Sequence, residues 1–274
     1  MNLQMRYAGA LYGAAAADAV CATFEGCMPD DTREPALTGG GQFSLAPGEV
    51  TDDTLMMLAL AESRLQTGTF SSAAFASKVI ATVRDRPKTF GRTTRTFAQL
   101  SEMGCDPDRA AVAVDMLYGS TTNGSVMRTL PTALFAASAD EAEYLGRTVS
   151  AYTHVSKTAC DAAGTLSRAL YRLLHGETKE TVVADVPAVY LGGQLIPSVN
   201  AEESLRCAFC IFRDSSSYLE ILTMACRLGG DSDTIGAMAG ALGGAWYGID
   251  AVPAKWCAAL DVHDRIETVL KSLK

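Results

Sequence analysis

Two short segments of the chain concentrate hard oxygen donors in a way that ordinary helix capping does not require. Thr51-Asp52-Asp53-Thr54 opens the apolar run LMMLALAESRL, and Asp231-Ser232-Asp233-Thr234 opens the run IGAMAGALGGAWYG. Asp, Ser and Thr are N-cap residues, so each segment marks a helix start. Neighbouring carboxylates repel one another, and a divalent cation resolves that repulsion. Together the two segments offer Asp52, Asp53, Asp231 and Asp233 plus several hydroxyls to one or two cations. Paired cations held by carboxylates clamp a substrate and activate water for hydrolysis.

Other residues could serve such a centre. Asn123-Gly124 favours a turn, and Gly124-Ser125 can free backbone N–H groups for phosphate or sugar oxygens. Asp18 and Glu25 sit at and just beyond the end of the first predicted helix, where the helix dipole disfavours acids. Asp18 reads equally as a buried tie between helices and as a site residue. His154 lies between two helices, where a lone histidine is more often structural than functional. His175 and His263 are read as non-functional. Arg84 to Arg95, RDRPKTFGRTTR, is the dense positive run of the chain. It reads first as a solvated loop and alternatively as a rim that contacts phosphate.

These residues need a scaffold. Helices are expected over 5–24, from Asp52 to near Gly68, over 71–84, from Asp106-Pro107 to Gly119, from about 140 leading to Thr153-His154, and over 156–175. Others follow over 201–213 behind the Asn200 cap, over 218–228 behind Ser217, through the glycine run, and from about Pro253 to the end. Pro131 is expected to kink the run after Ser125. No convincing period-two alternation appears, so the fold class is all-α. Gly236, Gly240, Gly244 and Gly248 recur every fourth residue, and Gly9, Gly13 and Ala17 repeat that spacing. Each series bares one helix face for close approach. A glycine costs roughly 1 kcal/mol in a helix relative to alanine, so the pattern needs a packing reason.

Composition narrows the classes. The 274 residues contain no linker-like stretch and read as one domain, 1–274. A net charge of −8 argues against a protein that binds a nucleic-acid backbone. The eight cysteines are scattered and read as reduced thiols in a cytoplasmic protein, with Cys207 and Cys210 as a core pair on a helix. The alanine-rich N-terminus carries Asp18 and only one nearby base, Arg6, so a core helix is preferred to a signal peptide. Ile235 to Ile249 is too short and glycine-rich to span a bilayer comfortably.

The segments GALYGAAAADAV, VTDDTLM, TTNGSVMRTLP, YTHVSK and LGGDSDTIGAMAGALGGAWYG occur in this order along nearly the whole chain. In that combination the sequence resembles the ADP-ribosylglycohydrolase family. The resemblance implies a compact orthogonal multi-helix bundle with a binuclear metal cleft holding two Mg²⁺ or Mn²⁺ ions. It implies Thr51, Asp52, Asp53, Asp231, Asp233 and Thr234 as ligands. Asn123, Gly124 and Ser125 would face the diphosphate and distal ribose of ADP-ribose, with His154 and Ser232 also facing substrate. Glu25, Asp53 and Asp231 are the candidate catalytic acids; Glu25 follows Asp18 at the offset of a glutamate used by the ADP-ribosylserine branch. The implied activity is hydrolysis of the bond between ADP-ribose and an arginine or serine side chain, or a small acceptor, by a monomer without a membrane or nucleic-acid partner. A silent ADP-ribose-binding or structural member is the alternative, and a two-metal phosphoester hydrolase is open from the residues alone. Thr89-Phe90-Gly91-Arg92-Thr93-Thr94 lacks the acid and amide of the loop typical of the bacterial branch, which leaves the cleaved linkage open. Ala17 stands where the family usually has glycine, and the segment before Ala201 lacks the usual glycine-aromatic pair.

Overall fold

The computed structural model describes residues 1–273. Among them the chain forms fourteen α-helices and no β-sheet. In order these are α1 (Leu3–Cys21), α2 (Asp52–Thr67), α3 (Ser72–Asp85), α4 (Arg92–Glu102), α5 (Pro107–Tyr118), α6 (Leu130–Phe135) and α7 (Ala139–Ala151). They continue with α8 (Lys157–Leu174), α9 (Lys179–Ala184), α10 (Ala201–Asp214), α11 (Tyr218–Leu228), α12 (Ser232–Tyr247), α13 (Ala254–Ala259) and α14 (His263–Ser272). The starts are chemically marked. Thr51, Ser71, Asp106, Ser138, Ser156, Asn200 and Ser217 each accept a backbone N–H of the turn they cap.

Several expectations are corrected. The first helix stops at Cys21, and a 3₁₀ turn, Ala22–Phe24, carries the chain to Glu25. Pro131 sits in the first turn of α6, where its missing N–H costs nothing, so it starts a helix and does not kink one. The expected C-terminal helix is two helices, broken between Ala259 and His263. The basic run is not a single loop: Arg84 and Asp85 end α3, and Arg92 to Arg95 open α4.

The centre of the fold is the antiparallel contact of α1 with α12. A Cβ on Gly244 would fall 1.9 Å from the Gly9 carbonyl oxygen, and one on Gly9 would fall 2.2 Å from the Gly244 oxygen. Gly13 and Gly240 face each other in the same way, and Gly236 meets Cys21 and Ala17. Gly248 lies past the last turn of α12, at φ 79°, as its C-cap. Backbone thus touches backbone along both helices, a closeness that any side chain at these positions would forbid. Arg6 Nη1 and the Tyr218 hydroxyl donate to the Ala245 and Gly13 carbonyls and pin the pair at their flanks. α1 is buried from Gly9 to Cys21 and α12 from Ser232 to Ala245. Because the pair is antiparallel, the C-terminal end of α1 lies beside the N-terminal end of α12.

Gly244→Ala should therefore destabilise the protein by about 2–3 kcal/mol, since the helices must move apart to admit the methyl. Gly192→Ala, with no atom nearer than 4.0 Å to its added carbon, should stay within about 0.5 kcal/mol. Urea unfolding of both variants measures the difference.

Candidate functional site

Asp18, on α1, organises the start of α2. Its carboxylate is fully buried and accepts from Thr51 N at 3.1 Å, Thr51 Oγ1 at 2.8 Å, Thr54 N at 3.2 Å and Thr54 Oγ1 at 2.5 Å. Four donors to one carboxylate explain how an acid is kept at the unfavourable end of a helix. Of the two readings left open for Asp18, the tie between helices is the one its bonds describe. The clamped turn delivers Asp52 and Asp53 to a cavity of about 450 Å³.

The second acidic segment arrives from the other side. Asp231 N donates to the Pro197 carbonyl, and Gly230 exchanges backbone bonds with Gly26 and Cys27. Those bonds hold Glu25 beside the start of α12, so that Glu25, Asp231 and Asp233 each bring a carboxylate oxygen within 4.8 Å of the others. The two segments meet directly: Thr234 Oγ1 donates to Asp53 Oδ2 at 3.4 Å, across 181 positions of sequence. Asn123 Nδ2 donates to Asp231 Oδ2. Asn123, Gly124 and His154 line the same cavity with Glu25, Asp52, Asp53, Asp231, Asp233 and Thr234.

Three expected residues do not line it. Thr51 Oγ1 donates to Asp18 Oδ1 at 2.8 Å and lies 3.0 Å from Asp53 Oδ2. Ser125 Oγ bonds Ser150 Oγ at 2.8 Å, and Ser232 Oγ donates to the Cys21 carbonyl at 2.9 Å. All three are fully buried, and their hydroxyls fasten the frame. Thr51 is therefore not placed as a ligand, nor are the Ser125 and Ser232 hydroxyls placed toward substrate.

The segment from Lys88 to Arg95 forms a wall of the cavity. The rim alternative for the basic run thus describes this half of it. Gly91 caps α4 without a side-chain bond, which leaves first-turn N–H groups of that helix without a side-chain cap partner at the cavity edge. Arg95 donates to the Pro87 carbonyl and Arg92 lies over the Tyr118 ring at 4.1 Å, so the wall is braced. Phe43, Thr122, Met127 and Val199 complete the lining, and nothing in their local sequence marks them. Only the charge run could have signalled the wall.

Electrostatics divide the groups. Burial first, then Asp233 and Asp231, push Glu25 up to about 10. Burial and Asp233 push Asp231 up to about 8. Asp52 and Asp53 rise well above the carboxylate range for the same reasons. His154 moves the other way, down to about 3, through burial and the charge of Arg128. Its ring nitrogens are held by Thr153 Oγ1 at 2.7 Å and Thr122 Oγ1 at 3.0 Å, so it is a neutral wall and not a proton carrier. Asp53 Oδ1 and Glu25 Oε2 are buried with no hydrogen-bond partner. Converging carboxylates, orphaned oxygens and the Thr234 hydroxyl form a donor set that suits a hard divalent cation.

A helical scaffold with an acid-lined cleft, a braced basic wall and a Thr-Asn-Gly turn defines the class of protein. The chain belongs to the ADP-ribosylglycohydrolase family, whose model matches residues 1–274. It is 29% identical over 293 residues to the ADP-ribosylarginine hydrolase Tri1 of Pseudomonas putida (strain GB-1), covering 98% of this chain and 77% of that protein. It is 28% identical to the ADP-ribosyl-[dinitrogen reductase] glycohydrolase of Rhodospirillum rubrum, covering 94% and 90%. Against the human ADP-ribosylhydrolase ARH3 the identity is 26%, covering 81% and 77%. A solved structure described as an ADP-ribosylglycohydrolase-related protein complex aligns with a TM-score of 0.84 at 30% identity, over 99% of this chain and 98% of that one.

The raised carboxyls fix a pH dependence. A folded pKa above the unfolded one means that the native state keeps protons the unfolded chain has lost. The stability from Asp231 and Glu25 is complete below their ordinary range, near 4, and fades as pH rises through about 8 and about 10. In EDTA the melting temperature should fall between about pH 5 and about pH 9 more for the native sequence than for Asp231→Asn. Excess Mg²⁺ or Mn²⁺ should reverse the fall. Equal pH slopes for the two proteins would contradict the assignment.

Proposed function

We propose that this chain is a divalent-cation-dependent hydrolase of the glycosyl bond between ADP-ribose and a modified arginine or serine side chain, or a small-molecule acceptor. The observation that carries the reading is the closure of the two acidic helix starts on one cavity through Thr234 and Asp53. The family and the named activities of the relatives support the chemistry.

Asp52, Asp53, Asp231 and Asp233, with Thr234, would hold Mg²⁺ or Mn²⁺. Cations bound there would supply the positive charge that polarises substrate hydroxyls and water. The chain's own groups do the rest. The Lys88–Arg95 wall and the Asn123-Gly124 turn bind and orient the diphosphate end. The bond from the anomeric carbon to the acceptor heteroatom breaks with its electron pair on the acceptor. Water forms the new carbon–oxygen bond and surrenders a proton, and the acceptor takes one up. Positive charge grows on the ring as the bond breaks, and the surrounding carboxylates stabilise it. Glu25 would take up and return a proton, a role supported by its buried oxygen that has no hydrogen-bond partner. Asp231 has one oxygen held by Asn123 and is fixed in orientation. His154 stays neutral and shapes the floor.

Peptides carrying ADP-ribosyl-arginine and ADP-ribosyl-serine, with free ADP-ribose release as readout, test the proposal. At least one should be hydrolysed with Mg²⁺ or Mn²⁺ and not with EDTA. Asp53→Asn and Asp233→Asn should each lower kcat/KM by about a hundredfold or more. Glu25→Gln should lower kcat by roughly 10²–10⁴ at unchanged ADP-ribose affinity. Binding of ADP-ribose without turnover of any linked substrate would instead favour a silent binding member.

A further inference from the structure

Beneath the Asn123-Gly124 turn lies a charge that nothing in the protein balances. Arg128 is fully buried, the largest side chain in the interior to be so. Its guanidinium donates to the Gly124 carbonyl at 3.1 Å, Thr153 Oγ1 at 2.8 Å and the Val149 carbonyl at 2.8 Å, and lies 4.7 Å from the Phe75 ring centroid. Nε has no partner. Among the described residues Arg128 makes no ion pair, whereas the half-buried Arg172 and Arg206 each have a carboxylate on them. A buried charge without its opposite is costly, and proteins keep one where something else supplies the opposite.

Two of its contacts lead to the cleft. Gly124 lines the cavity. Thr153, the second acceptor, is also the partner of His154 Nδ1, and the His154 ring lies against Gly124, 3.3 Å from where a Cβ would stand. The peptide plane places the Ser125 N–H opposite the Gly124 carbonyl, so pulling that carbonyl down onto the guanidinium turns the N–H away from it. Burial lowers the Arg128 pKa to about 9, which still leaves it charged at neutral pH.

We propose that Arg128 is a positioning residue whose uncompensated charge is the built-in counter-charge for the diphosphate of the ligand, acting through Gly124 and the Thr153–His154 pair without touching the ligand. This rests on the functional reading above. The charge and the shape are one device: the guanidinium that fixes the turn also makes the turn's surroundings positive. In a low-dielectric interior that field is weakly screened, in contrast to the exposed Lys88, Arg92 and Arg95.

The test is calorimetry of ADP-ribose and of inorganic pyrophosphate, both with saturating Mg²⁺, on the native sequence, Arg128→Lys and Arg128→Met, with melting curves to show folding. Arg128→Met should bind ADP-ribose about tenfold more weakly, the scale of one charge acting across a side-chain length at an effective dielectric of about 20. Arg128→Lys should recover most of that loss, because a lysine keeps the charge while it loses the three-way fork. Unchanged affinity in folded Arg128→Met, or equal loss in both variants, would overturn the proposal. If Arg128→Met does not fold, Arg128→Lys and pyrophosphate decide. Affinity within about threefold of native together with competition between pyrophosphate and ADP-ribose supports it. A tenfold loss in Arg128→Lys, or no competition, overturns it. Absence of ADP-ribose binding by the native protein would reject the functional reading instead, and pyrophosphate binding to the native and lysine proteins would still report on the charge.

Discussion

The structure depends on one contact: two helices whose backbones touch because glycine faces glycine. Side chains elsewhere hold helices about 8–10 Å apart, and removing them is what allows carbonyl oxygens of α1 to sit where α12 would carry Cβ atoms. The register of that contact does more than fill space. It sets the end of α1, with Asp18 and Cys21, against the start of α12, with Asp231 to Thr234. Ser232 then locks the junction by donating to Cys21. A slip of one helical turn, about 5.4 Å, would carry the acids out of each other's reach. The packing of the core and the geometry of the cleft are thus the same constraint seen at two distances.

What that constraint brings together is electrostatically unfavourable by itself. Burial raises the pKa values of Glu25, Asp18, Asp52, Asp53, Asp231 and Asp233, the charge of Asp233 adds to the rise in the other five, and no basic side chain makes an ion pair with any of them among the described residues. Two devices hold the arrangement. Asp18 accepts from four hydroxyl and amide donors, so the scaffold acid has its partners inside the protein. Asp53 and Glu25 each keep an oxygen with none. The difference separates an acid that builds the frame from acids that await something outside it.

Much of this was legible along the chain. The two acidic starts, the capping residues and the glycine spacing are local signals, each with a local physical cause; both helices start where expected and Gly236, Gly240 and Gly244 face α1, although Asp231 makes no side-chain cap bond and Gly248 falls past the end of α12. The failures are of a different kind. Ser125 and Ser232 sit in the right turns but point their hydroxyls at Ser150 and Cys21, because a side chain's direction is set by neighbours the sequence does not name. The wall from Lys88 to Arg95 looked like a solvated charge run, since nothing in it reveals that Gly91 and Phe90 back onto a cavity. Arg128 gave no signal at all. An arginine in TTNGSVMRTLP is a residue type, and only burial without a carboxylate makes it unusual.

The cleft is therefore asymmetric in charge, and the asymmetry has depth as well as direction. On one side the acids converge within the reach of a cation. On the other the positive groups form two tiers, exposed on Lys88, Arg92 and Arg95 and buried on Arg128. Exposed charges act at long range but are screened beyond about 8 Å at physiological salt, so they serve capture more than grip. A buried charge is only weakly screened by salt, so it distinguishes a ligand that is anionic at one place from one that is merely anionic. A molecule with hydroxyls at one end and two phosphates a few bonds away matches both halves at once. A ligand with only one of these features would leave either orphaned carboxylates or an orphaned guanidinium, and the cost of either is a basis for selectivity.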